Sequence, residues 1–196
     1  MDLTEITAVP EAVLPVAAFR GHLRLGTGFA DDASNDAALA QYLRAAIAVV
    51  EGRTGKALLA RGFRLVLPCW RWPDAQVLPI APVAAVDAIT VRDATGTASE
   101  IAAARWRLER DRHRPRIVAT GALLPAVPAG GQVEVAFTAG FGPDWSDVPD
   151  DLAQAVFLLA AQYHEGRTGA GDEVPVSVAA LTAGWQPMRL SAGRQA

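Results

Sequence analysis

Between Val133 and Glu165 the chain passes from the two-residue alternation of a strand to the 3.6-residue repeat of a helix, with only a short turn between. Val133, Val135, Phe137 and Ala139 alternate with Glu134, Ala136 and Thr138, and Gly140-Phe141-Gly142 then breaks the pattern. After a polar turn, Val148-Pro149-Asp150-Asp151-Leu152 opens a helix, because proline suits the first helical turn and acidic groups suit the positive end of the dipole. Leu152, Val156, Leu159, Ala160 and Tyr163 form its apolar stripe, and Phe157 and Leu158 widen it enough to pack on more than one neighbour. The passage joins a strand to a helix and contains no catalytic grouping.

A second strong helix starts at Ser34 or Asn35, both good caps, and carries Leu39, Tyr42, Leu43, Ala46, Ile47 and Val50 on one face. Gly52 and Gly55 are candidate stops. Before it, residues 1–14 read as an extended arm, Pro15 opens a short helix with Ala18, Phe19, His22 and Leu23 on one side, and Gly26 to Ala33 reads as a loop. Between the two long helices the period changes. Phe63, Leu65 and Leu67 alternate with Arg64 and Val66, and further strands are expected at Val86 to Arg92, Trp106 to Leu108 and Arg116 to Ala119. Pro68, Pro73, Pro79 and Pro82 keep the strands around them short or on edges. Asp93-Ala94-Thr95-Gly96 has the chemistry of a hairpin turn. Pro175 opens a last short helix through Leu181, and Trp185, Met188 and Leu190 come after it. The expected fold is α+β: a small helical bundle of two long helices plus short N- and C-terminal helices, with an antiparallel β-rich insertion between the long ones. Its expected parts are a single domain over 1–196, with an arm at 1–14, a helical part at 15–56, the insertion at 61–138, the second long helix at 148–166 and a C-terminal segment at 174–196.

Composition narrows the class. The 196 residues suffice for one domain with a real core, and a net charge of −3 offers no bulk attraction to phosphates or acidic membranes. Cys69 is the only cysteine, which excludes an internal disulfide and a thiolate zinc site. The acidic start Met1-Asp2-Leu3-Thr4-Glu5 does not resemble a signal peptide, and no window approaches the roughly 18 apolar residues of a membrane span, so a cytoplasmic protein with no membrane partner is expected.

Few residues could carry chemistry. His22, His113 and His164 form no His-x-x-x-His pair, and His164-Glu165 lacks the second histidine of a zinc-protease helix. Asp147, Asp150 and Asp151 cluster at a helix start, where the dipole accounts for them. Asp31, Asp32 and Asp36 lack the glycine and closing glutamate of a calcium loop, and Gly26-Thr27-Gly28 lacks the ending of a phosphate loop. No cofactor is expected. The densest charge run lies between Arg105 and Arg116. Arg105, Arg107, Arg112 and Arg114 form a possible charged contact surface, read as the outer face of a hairpin with Trp106 and Leu108 inward and Glu109 and Asp111 reducing the charge; a nucleic-acid contact is the alternative. A small ligand-binding or enzyme domain using His164, Glu165 and the nearby aspartates is a further alternative. Trp185, Met188 and Leu190 either cover the domain's own core or anchor on a partner, and the residues alone leave both readings open.

In order and spacing the chain resembles the head–tail connector, or adaptor, proteins of tailed bacteriophages and phage-like gene transfer agents. Phe19-Arg20-Gly21-His22-Leu23-Arg24 is similar to the family's opening Ala-Lys-x-His-Leu-Arg helix. Asn35 to Thr54 with Gly55 resembles its first long helix and Thr-Gly stop, and Leu78-Pro79-Ile80-Ala81-Pro82-Val83 resembles its Leu-Pro-x-x-Pro-Val stretch. Phe137 to Gly142 and Val148 to Glu165 resemble its Phe-x-x-Gly-Tyr-Gly and Val-Pro-x-x-Leu segments, and Val174-Pro175 with the Leu181 to Leu190 tail resembles its end. The long β segment, rich in tryptophan and arginine, departs from the pattern. The resemblance implies a structural protein, not an enzyme. It implies a homo-oligomeric ring, dodecameric, between the portal protein and the stopper or next tail connector, with DNA passing through without sequence-specific binding. The protein would be cytoplasmic during assembly and then lie in the particle neck. Portal contacts would come from Leu181, Trp185, Met188, Arg189 and Leu190.

Overall fold

The computed structural model of the chain describes residues 1–24, 33–166 and 174–186. Gly26-Thr27-Gly28, Asp31, Asp32, Met188, Arg189 and Leu190 lie outside the described residues. The elements run β1 (Asp2–Glu5), α1 (Val16–His22), α2 (Ala33–Thr54), β2 (Arg61–Leu67), β3 (Ala75–Val77), β4 (Val83–Arg92), β5 (Ala98–Glu100), β6 (Trp106–Glu109), β7 (Arg116–Ala119), β8 (Gln132–Ala139), α3 (Asp150–Glu165) and α4 (Val176–Ala183).

The expected helical bundle with a β-rich insertion is not what forms. Four helices stand beside two antiparallel sheets of eight strands. The larger sheet has the order β1-β2-β8-β4-β5 and the smaller β3-β7-β6. The β part is also not confined to the stretch between the long helices. Asp2 to Glu5, expected as part of an arm, pairs with β2 in the register Asp2↔Val66 to Glu5↔Phe63. The physical reason is burial. The alternating apolar residues of β2, β4 and β8 face Ile117 and Ala119 of the smaller sheet, so the two sheets close over a core of their own. Phe63 and Phe137, directly paired, stack at 5.6 Å between ring centroids in that core. Two register shifts in β4, at Val83/Ala85 and Val86/Ala88, mark bulges that bend the strand along its neighbour.

The helices build a second core. Leu39, Leu43, Ala46 and Val50 of α2 meet Leu152, Val156, Leu159 and Ala160 of α3, with Phe19 of α1 and Val178 of α4 completing it. Two short crossings join the cores. At the end of α2, Gly55 takes φ +65° and turns the chain into Lys56-Ala57-Leu58-Leu59, all buried. At the end of β8, Gly140 takes φ +138°, and a β-carbon there would overlap the backbone of Ala60. These two segments lie side by side, with Leu59 bridged to Gly142 and Ala60 N–H bonded to the Gly142 carbonyl at 2.8 Å. The Gly-Phe-Gly break seen in the sequence is therefore half of the seam between sheets and helices.

Candidate functional site

Trp185 lies at this seam. Pro175 starts α4, Val178 and Thr182 anchor its buried side, and the Trp185 N–H bonds the Thr182 carbonyl at 3.1 Å to close the helix end. The indole is 6% exposed. Its Nε1–H donates to Asp151 Oδ2 at 2.6 Å, in the first turn of α3. Phe141 meets it edge-on at 5.4 Å, and the Arg112 guanidinium lies 3.9 Å over the ring. Leu181 is half-buried against the helical core. Of the five residues expected to contact a portal, the two described ones thus pack on this chain itself.

Lys56, the only lysine, is 2% exposed at the crossing after α2. Its Nζ lies 3.3 Å from His113 Nδ1 in the β6–β7 loop. Burial pushes the Lys56 amine below its usual range, the nearby Arg112 cation adds to this, and Asp111 opposes it. The His113 imidazole is also lowered, first by burial and then by Lys56 and Arg112, while Asp111 pulls the other way. Asp111 is occupied by the His113 and Arg114 N–H groups, at 2.7 Å each, which hold its carboxyl below the ordinary range. Sequence reasoning does not single out Lys56 and His113 as a pair. The available signal is a lone lysine directly after a Thr-Gly helix stop.

The arginine-rich hairpin has the inward and outward faces read from its alternation. Trp106 and Leu108 pack toward the β core. Glu109 lies between Arg116 and Arg107, 2.6 Å from each, and the Arg116 bond first and then the Arg107 charge depress its carboxyl. The four arginines do not converge: Arg105 precedes β6 at one end of the hairpin, Arg112 and Arg114 sit in the loop at the other, and Arg107 is paired between them. A cleft of about 570 Å³ opens beside the hairpin, lined by Trp72, Asp74, Glu109, Arg110, Arg114 and Arg116, so both signs of charge mix along it.

The enzyme alternative fails on distance. Asp150 and His164 stand at opposite ends of α3, roughly 20 Å apart at the helical rise. His164 instead meets Tyr42 edge-on at 6.0 Å, and Asp147 forms a capping box with Asp144. Among the described residues, no group of three or more His, Cys, Asp or Glu could hold a metal ion. No described helix is long and apolar enough to cross a membrane.

No family model matches this chain, and no curated protein does. Solved structures do. The chain is similar to one from the neck of an empty GTA particle computed with C6 symmetry, at 60% identity and TM-score 0.91. It is similar to one from the virion of a native gene transfer agent (GTA) particle, at 59% and 0.89. A third match, from the neck of a native GTA particle computed with C12 symmetry, has 55% identity and TM-score 0.86. All three similarities span the whole of both chains.

Proposed function

The chain belongs to the head–tail connector family of phage-like particles, and on that premise we propose that it is the adaptor ring between the portal and the stopper or tail. It is a structural component of a gene transfer agent neck, and no catalysis is assigned to it. One observation carries the reading: full-length likeness at 60% identity to a neck chain. The sixfold and twelvefold symmetries of the related necks support assembly as a ring, and twelve copies suit both. Such a ring needs a head-to-tail contact that closes on itself. A net charge of −3 and the Glu109 clamp on Arg107 and Arg116 suit a channel through which DNA slides without sticking.

The whole chain acts as one connector domain in this reading, with 174–196 as the portal-docking segment. Val178 and Trp185 belong to the helical core, so the docking contacts fall to Leu181 and to Met188, Arg189 and Leu190. Negative-stain electron microscopy of the protein mixed with the cognate portal ring tests this. A chain ending at Gln186 keeps the buried Trp185 and lacks only the last ten residues, 187–196. An added disc with the intact chain, absent with the shortened one, is the expected result. A disc with both moves the anchor elsewhere, and a disc with neither refutes portal docking.

A further inference from the structure

Among the described residues Trp185 is the last one buried, and Gln186 alone separates it from residues 187–196. Its backbone holds it only loosely. The Trp185 N–H reaches the Thr182 carbonyl at 3.1 Å and the Gln186 N–H reaches the Ala183 carbonyl at 3.4 Å, both three-residue bonds of poorer geometry than those inside a helix. Gly184, just before the indole, has φ −69° and open space where a β-carbon would stand, so no packing demands a glycine there. Glycine is also the residue whose backbone turns most freely. The side-chain contacts are what fix the indole, and each comes from a different part of the fold. Asp151, in the first turn of α3, accepts the Leu152 N–H on Oδ1 at 2.9 Å and the indole N–H on Oδ2 at 2.6 Å. A buried indole N–H needs such an acceptor, and these two bonds use both carboxylate oxygens. Phe141 meets the ring from the seam, and the Arg112 guanidinium lies over it from the β6–β7 loop.

We propose that Asp151 and Arg112 are positioning residues for portal docking: by seating Trp185 they fix the point at which the docking segment leaves the fold. The role rests on portal docking by that segment. Asp151 belongs to a helix of the helical core, and Arg112 to a hairpin of the smaller sheet, so the seat ties the root of the segment to both halves of the molecule. Without the seat the chain pivots at Gly184, and its root must be ordered again whenever the segment docks. Ordering one freed backbone residue weakens binding by about tenfold. Arg112 is exposed, so a partner's carboxylate has access to it as well. Salt separates the two roles. A contact made within the chain acts equally at all salt concentrations of the solution, whereas an exposed charge pair with a partner is screened.

The test measures binding to the cognate portal ring by surface plasmon resonance for the intact chain and for D151N, R112Q and D150N. Solvent exchange of the Trp185 indole N–H is followed by NMR in each, and W185F identifies that signal among the five tryptophans. D151N leaves one acceptor oxygen where two are used. D150N removes an exposed charge from the same helical turn and leaves the contacts to Trp185 in place. The expected result is that D151N and R112Q speed indole exchange and bind the portal about tenfold more weakly, at low and high salt alike. D150N matches the intact chain. A faster-exchanging indole with unchanged portal binding overturns the positioning role and leaves portal docking standing. The role is equally overturned by an indole that stays protected in both variants, by an equal loss in D150N, or by an R112Q loss that vanishes at high salt. No binding by the intact chain refutes portal docking and the positioning role with it. Should D151N fail to fold, R112Q, altered only at an exposed side chain, decides.

Discussion

At the end of α2, Glu51 accepts the Leu58 N–H at 2.7 Å and two Arg61 N–H groups at 2.9 and 2.7 Å, while Arg61 Nε faces Glu5 at 2.9 Å. The Arg61 and Glu51 side chains are buried and Glu5 is partly exposed, and the trio fastens α2, β2 and β1. Without Glu51, Arg61 keeps only the half-exposed Glu5, and the buried Leu58 N–H loses its acceptor. Glu51→Ala is expected to lower unfolding stability by about 2 kcal/mol in a denaturant titration, more than removal of an exposed charge such as Asp87. Gly140 is a second such point. Its φ of +138° is foreign to side-chain-bearing residues, and a β-carbon would overlap Ala60. Gly140→Ala is expected to cost about 2 kcal/mol or more, read as a fall in thermal midpoint, whereas Gly121→Ala, where nothing lies within 4 Å of the added carbon, should be near neutral. The glycine break is visible in the sequence; the reason for it, a backbone neighbour some eighty residues earlier, is not.

Among elements, legibility tracks length and the number of buried positions. Helices α2 and α3, and strands β2 and β8, repeat their pattern often enough to be read, and their buried residues are those on the stripes. Strand β1 has one half-buried residue, Leu3, and β5 has none, so neither leaves a periodic trace. The expected fold class departs from the observed one for that reason: strand order is a non-local property, and short edge strands turn an apparent insertion into a second core. That core rests on its aromatic pair. Phe137→Ala is expected to destabilise by about 3–5 kcal/mol, a large part of the roughly 5–15 kcal/mol that holds a typical domain, and circular dichroism should show the sheet signal lost at lower denaturant. The Trp185 seat is half legible. An apolar residue beyond the last helix points to a contact, but its partners Asp151, Phe141 and Arg112 come from distant parts of the chain.

For the whole molecule, the proposed channel requires surfaces that do not hold DNA. Fluorescence anisotropy with a short duplex at low salt is expected to show no binding, and replacing Arg107, Arg112 and Arg114 by alanine should change nothing; a salt-sensitive signal lost in that variant would restore the nucleic-acid reading. The same molecule has an unusual order of construction. Strand β8 lies in the middle of the larger sheet, between β2 and β4, yet it is the last strand in the chain. While the protein is being synthesised, every earlier strand of that sheet emerges before the one that joins its halves. Until Ala139 has left the ribosome, β2 and β4 present unpaired edges and uncovered apolar faces, the condition under which nascent chains associate wrongly. A chain cut short before Gln132 should therefore be recovered as aggregate, and the folding of this neck protein should wait for its final third.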